Sequence, residues 1–229
     1  MQGREGLHMS KAFIFDLDGV VVDTAKYHYL AWKRLASKFG YDFTEEDNAQ
    51  FKGINRMACM KILSNLIGRQ FSDMESVSLS NIKNEWYIEY ISKMDKDEVL
   101  PGFIDFIADI RKIGGRTALA SASKNAAIVL DRLELRECFD VVVDGNDVQR
   151  SKPDPQVFQL AAKKLGAKEC ECIVFEDAQA GIDAAKSANM YAVGICKPDN
   201  PLIGADVLKA GFEGLSIESL LNEFDKCAV

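Results

Sequence analysis

Residues 12–24 read Ala-Phe-Ile-Phe-Asp-Leu-Asp-Gly-Val-Val-Val-Asp-Thr, a short apolar strand that meets two carboxylates where it should end. Asp16 and Asp18 are two residues apart. On an ideal strand they share a face, and in a tight turn at the strand's C-terminal edge both can converge on one cation. Gly19 permits the turn that swings the chain away. Hard oxygen ligands of this kind suit Mg2+, which takes one or two protein carboxylates and completes its shell with water and substrate phosphate. Asp-x-Asp-Gly is equally an ordinary turn, so the stretch alone supports both readings.

The rest of the chain alternates between strand and helix patterns. A helix starts near Ala25, with Thr24 as its N-cap, and runs to Phe39 before Gly40. His28, Trp32, Leu35 and Phe39 fall on one side of it. A histidine in such a row is usually a packed core residue, but this one lies ten residues beyond Asp18 on the helix that leaves the acidic turn. Residues 43–98 carry only helical patterns: a short helix entered by Glu45 and Glu46, a break at Lys52-Gly53-Ile54-Asn55-Arg56, a helix from Met57 to Leu66 and another from Met74 to Ser92. Lys52, Arg56 and Lys83 are the basic residues of this block to test first, although most such side chains only solvate a surface.

Beyond Leu100-Pro101-Gly102 the alternation resumes. The pattern predicts a helix over 103–112, a strand over 116–120, a helix over 126–132, a strand over 139–143, a helix over 156–165, a strand over 171–175, a helix ending at Ser187, a strand over 191–195 and a last helix over 217–224. Polar clusters follow the strands. Ser121 is succeeded by Ala122-Ser123-Lys124-Asn125, where hydroxyl, ammonium and amide groups can join backbone N–H groups on a phosphate, while N-capping by Ser123 or Asn125 explains part of the same pattern. Lys152 sits in Ser-Lys-Pro-Asp-Pro, stiffened by two prolines. Glu176-Asp177 ends a further strand. Such alternation predicts a parallel sheet covered on both faces, with ligands outside the strands' carboxyl ends, where these clusters fall.

Composition narrows the partners. A net charge of -7 argues against nucleic acid and anionic membrane, and 48% hydrophobic with 28% charged residues is a globular composition. No run approaches a membrane span, and the N-terminus lacks the apolar stretch of a signal peptide, so a cytoplasmic location is expected. Residues 1–8 carry no pattern and precede Met9, and His8 is given no role. The six cysteines lack metal-ligand spacing and are expected to be reduced thiols.

Together the clusters specify phosphoryl transfer: Asp16 as nucleophile, Asp18 and Asp177 on Mg2+, Lys152 offsetting charge, Ser121 donating a hydrogen bond, Glu176 positioning a ligand, and Asp18 as general acid and base. Asp16-Leu-Asp-Gly-Val, Ser121, Lys152-Pro-Asp-Pro and Glu176-Asp177 with Gly181 resemble, in this order, the haloacid dehalogenase-like hydrolase superfamily. The resemblance implies an α/β fold, a Rossmann-like parallel sheet core (9–24 and 99–229) with a small all-helical cap domain inserted after the first strand (25–98). It also puts Asp16 among the metal ligands with Asp18, Glu176 and Asp177. The second aspartate favours phosphoryl transfer over dehalogenation.

Asp23-Thr24-Ala25-Lys-Tyr-His28 with Trp32, Phe51 to Arg56, and Ala120 to Asn125 are similar to the β-phosphoglucomutases within that superfamily. This narrower resemblance implies interconversion of β-D-glucose 1-phosphate and D-glucose 6-phosphate, with Mg2+ and with β-D-glucose 1,6-bisphosphate as activator and intermediate. His28 would link substrate binding to placement of the acid/base. Arg56, Ser123, Lys124 and Asn125 would hold the phosphate distant from Asp16, while Lys52 and Lys83 would contact substrate or help close the cap. Trp32 and Gly53 join the substrate-binding set, and Thr24 would support the closed arrangement. Hexose phosphates are the expected partners and a monomer the expected state. A capped sugar-phosphate or phosphoglycolate phosphatase using the same Asp16 and Mg2+ is the alternative.

Overall fold

A computed structural model describes residues 11–227; residues 1–8, His8, Met9 and the side chain of Cys227 lie outside the described residues. Six parallel strands form one sheet: β1 (Ala12–Phe15), β2 (Arg116–Ala120), β3 (Val141–Val143), β4 (Cys172–Glu176), β5 (Tyr191–Ile195) and β6 (Val207–Lys209), in the order β3-β2-β1-β4-β5-β6. The order reverses between β1 and β4, so the crevice beyond their carboxyl ends is the topological switch point of a Rossmann-like sheet. Asp16 follows one of these strands and Glu176 ends the other.

Both faces of the central strands are buried, which is why β1, β4 and β5 are almost wholly apolar. Phe13 and Phe15 join Phe103, Phe106, Phe139, Phe175 and Phe212 on one face, covered by α5 (Phe103–Lys112), α6 (Ala126–Arg132) and α9 (Ile217–Cys227). Ala12 and Ile14 face the other way, onto α7 (Gln156–Leu165) and α8 (Gln179–Ser187). Phe15 is paired with Phe175 in the β1–β4 register and their rings stack at 4.6 Å, a rigid base directly below the residues that end both strands.

Between β1 and α5 stand four helices, α1 (Ala25–Ser37), α2 (Glu45–Ala49), α3 (Arg56–Ile67) and α4 (Asp73–Ile91). They have their own core, with Trp32, Leu35, Phe43, Phe51, Met60 and Leu63 buried. Thr44 with Asp47 and Ser72 with Glu75 form capping boxes at α2 and α4. The two strands of chain joining this cap to the sheet domain are tied together, Asp23 N–H donating to the Glu98 carbonyl at 3.1 Å and Leu100 N–H to that of Val21 at 3.0 Å.

Most expected elements form, with three departures. The third strand is shorter than 139–143, because a 3-10 turn over Arg136–Cys138 leads into it. β6 lies in the Pro/Gly-interrupted tail, where three residues carry too little pattern to signal a strand. Thr24 precedes α1 but makes no side-chain cap, and neither does Asn125 at α6; the Thr24 hydroxyl goes to Asp18 behind the wall of the cavity between the domains, and the Asn125 amide to Asn84 within it.

Candidate active site

A cavity of about 410 Å³ opens between the cap and the carboxyl edge of the sheet, a volume suited to a small organic ligand. Its floor is the switch point. Asp16, buried, accepts the Asp18 N–H at 2.9 Å on Oδ2 and the Lys152 ammonium at 2.5 Å on Oδ1. Lys152 is reached through a cis Lys152–Pro153 peptide and gives its other protons to Glu176 Oε1 at 2.5 Å and the Ala120 carbonyl at 3.3 Å, so all three donors are used. Burial alone would push this ammonium down; Asp16 and Glu176 outweigh it and hold Lys152 above the ordinary lysine value.

Glu176 accepts the Ala178 N–H at 2.9 Å on its second oxygen, so both oxygens are engaged away from the cavity. A Cβ at Gly181 would collide with this carboxylate, which explains the glycine. Gly19 has a left-handed φ of +84° and packs against the Asp177 carboxylate, bringing the first acidic turn against the second. Asp177 is paired at 2.8 Å with Lys52, which reaches over from the cap.

Asp18 is pushed up to about 7, by burial first and then by the charges of Asp16 and Asp177, against a lowering by the Thr24 hydroxyl that donates to its Oδ1. Asp177 is raised by burial, with Asp16 adding to it and Lys52 opposing. Carboxylates that repel one another in this way fit a hard divalent cation. Among the described residues no group of three or more His, Cys, Asp or Glu side chains stands ready as a metal cage. The donor set still fits Mg2+, which is bound through one or two carboxylates with water and phosphate completing its shell.

The opposite wall is made by the cap and is cationic. Lys83, almost fully buried, lies 2.9 Å from His28 Nδ1 and 4.7 Å from the ring centres of both Trp32 and Tyr87. Burial, with Arg56 adding to it, lowers this lysine to about 7. His28 stacks on Tyr87 at 4.0 Å and is held well below the ordinary histidine value by burial, Lys83 and Arg56. The other ring nitrogen, Nε2, lies 3.9 Å from Asp18 Oδ1.

Arg56, at the start of α3, gives Nη2–H to the Asn84 amide oxygen at 2.7 Å, and Asn125 from the sheet domain gives Nδ2–H to the same oxygen at 2.7 Å. Lys124 lines the cavity beside them. Ser121 accepts the Ser123 N–H at 3.0 Å and Ser123 accepts that of Asn125 at 3.2 Å, so these hydroxyls shape the loop rather than cap α6. Gly53, with φ +73°, carries the cap loop against Ala178. Of the residues singled out in the sequence, Ser121, Thr24 and Glu176 stand behind the cavity wall, and the others line it.

Asn84 was not singled out in the sequence, nor were Tyr87 and Asn55, whose Nδ2–H reaches Ser151 Oγ across the domains at 3.1 Å. An asparagine inside a 19-residue helix is a signal, because it is a weak helix former there.

Residues 10–189 match the family model described as haloacid dehalogenase-like hydrolase, and the chain belongs to that family. It is therefore an enzyme of the hydrolase and phosphotransferase kind. The chain is 37% identical over 218 residues to the β-phosphoglucomutase of Bacillus subtilis, covering 94% of this chain and 96% of that protein. It is 31% identical to the phosphorylated carbohydrates phosphatase of Thermotoga maritima, over 93% of this chain and 97% of that one. A solved β-phosphoglucomutase from Clostridium difficile superposes with a TM-score of 0.90 at 37% identity, covering 95% and 98% of the two chains. Among the described residues no helix is long and apolar enough to cross a membrane.

Proposed function

We propose that this enzyme is a β-phosphoglucomutase, interconverting β-D-glucose 1-phosphate and D-glucose 6-phosphate through β-D-glucose 1,6-bisphosphate. The observation that carries the reading is the polarity of the cavity: a carboxylate floor with a positioned nucleophile faces a cap wall where Arg56 and Lys83 are held by neutral side chains, an asparagine and a histidine. A ligand with one phosphate at the floor and another at the wall suits both ends, and the names of the β-phosphoglucomutase relatives supply the sugar.

Asp16 attacks the phosphorus of the bisphosphate, the bond from phosphorus to the sugar oxygen breaks, and the leaving oxygen takes a proton from Asp18. In the return half, phospho-Asp16 is attacked by the hydroxyl of a sugar monophosphate, whose proton passes to Asp18. Asp18 is placed for both transfers by the turn that brings its N–H onto the nucleophile's carboxylate. Lys152 keeps Asp16 oriented, and Ser121, whose oxygen accepts the Ser123 N–H behind the wall, keeps its hydroxyl proton for the transferring group. Mg2+ held by Asp16, Asp18 and Asp177 would neutralise the charge that develops on the transferring phosphoryl group. Arg56, Ser123, Lys124 and Asn125 hold the second phosphate, and His28 couples the cap to Asp18. Cap closure excludes water, which separates a mutase from a phosphatase.

The test supplies β-glucose 1-phosphate, Mg2+ and a trace of the bisphosphate, and measures glucose 6-phosphate and free phosphate together. The expected result is isomerisation in excess of release, lost by about 10⁴-fold or more in Asp16→Asn. Net phosphate release without isomerisation would instead establish the phosphatase reading, which the Thermotoga relative's name favours.

A further inference from the structure

Asn84 on α4 offers one oxygen to two donors from different domains, Arg56 Nη2 of the cap and Asn125 Nδ2 of the sheet domain, each at 2.7 Å. All three side chains line the cavity. Arg56 is partly desolvated, which lowers its pKa, and no carboxylate compensates it among the described residues. An oxygen that receives a guanidinium N–H and an amide N–H together occupies the position a phosphate oxygen would take.

We propose that Asn84 is a positioning and specificity residue, its amide oxygen standing in for an oxygen of the substrate's distal phosphate. It keeps Arg56 and Asn125 aimed at one point across the seam between cap and sheet domain, where a phosphate then takes them over. The exchange works because the placeholder is neutral. A phosphate dianion adds ion-pair attraction to the guanidinium bond and turns the neutral Asn125 bond into a charge-assisted one, so it displaces Asn84. A ligand with no distal phosphate has nothing to displace it with and leaves the two donors turned inward. This inference rests on the proposed function only in placing a second phosphate at the cap wall.

The experiment compares Asn84→Asp and Asn84→Ala with the parent enzyme on two phosphoryl donors. β-Glucose 1,6-bisphosphate reaches the cap wall, whereas acetyl phosphate is too short to do so. Asp keeps the acceptor oxygen and adds a charge, so it should hold Arg56 against the incoming phosphate. The expected result for Asn84→Asp is a KM for the bisphosphate raised about tenfold more than that for acetyl phosphate, with kcat changed less than KM. Asn84→Ala should raise the same KM ratio by a smaller factor. Thermal unfolding of both variants identifies loss of fold, and either variant that folds suffices for the comparison of donors. Equal effects on the two donors, or a larger KM ratio in Ala than in Asp, would overturn the proposal by leaving Asn84 a structural tie. Because the ratio is read on phosphoryl donors, it holds whether water or a sugar hydroxyl is the acceptor. Failure of the mutase reading shows separately, in the products of the parent enzyme.

Discussion

The two walls of the cavity hold their charges in opposite ways. At the sheet edge Lys152 is locked between Asp16 and Glu176, with its third proton on a backbone carbonyl, and Lys52 is paired with Asp177. Acids outnumber bases there, and Asp18 answers by shifting to about 7. At the cap wall Arg56 and Lys83 have neutral partners: an asparagine, a histidine and two aromatic faces. The sheet edge is internally paired and permanent, while the cap wall leaves its cations available to an anion. An interior that pairs its own charges resists rearrangement, and one that hydrogen-bonds them to neutral groups can exchange those bonds for stronger ones.

The contrast can be broken most sharply at Lys152. Replacing it by Met leaves Asp16 and Glu176 buried without their common cation, and breaking such a pair costs about 3–5 kcal/mol. The midpoint of thermal unfolding should fall by about 10 °C, and activity should fall with the orientation of Asp16. A midpoint within a degree or two of the parent would mean that the sheet edge is not held by this network.

At the cap wall the same kind of change should act on binding instead. Arg56→Ala removes a cation with no carboxylate to strand, so unfolding should change little. The KM for the sugar phosphate should rise about 10- to 100-fold, in line with losing a hydrogen bond to a charged group. Steady-state kinetics beside a melting curve would separate the two walls, and a loss of stability without a rise in KM would erase the distinction between them.

Lys83 sharpens the comparison through pH. Its native value of about 7 lies below the ordinary 10.5. Below pH 7 the ammonium is charged in both states and its burial costs stability in full. Between 7 and 10.5 the unfolded chain binds the extra proton, so stability rises with pH through that window. The faces of Trp32 and Tyr87 favour the charged form and offset part of the burial cost. Lys83→Met should therefore unfold a few degrees higher than the parent at pH 6, with the gap closing towards pH 10. A constant gap across that range would show that Lys83 does not titrate there.

Much of the site was legible because its parts are local. Asp16, Asp18 and Gly19 occupy one turn, Ser121 to Asn125 one loop, and each was placed by the strand before it. What the residues do to one another was less legible. Thr24 fits the rule for an N-cap, yet its backbone is helical (φ -91°, ψ -7°) instead of the extended form a cap needs, and its hydroxyl donates to Asp18. Glu176 reads like a ligand beside Asp177, but the ammonium of Lys152 and the N–H of Ala178 claim its oxygens. Asn84 looks like one more polar residue on a half-exposed helix until α3 and the loop before α6 bring their donors to it.

The sequence by itself determined the alternation of strands and helices, the all-helical insertion and the position of each polar cluster at a strand end, since these follow from period, turn chemistry and capping within a few residues. Tertiary structure decided which charge meets which. Lys152 is 136 residues from Asp16, Lys52 is 125 from Asp177 and Asn125 is 41 from Asn84. Separations of that size leave no trace in local periodicity. They close only when the apolar faces of sheet and cap are buried together, and it is that burial that brings an acidic edge and a cationic wall to face each other.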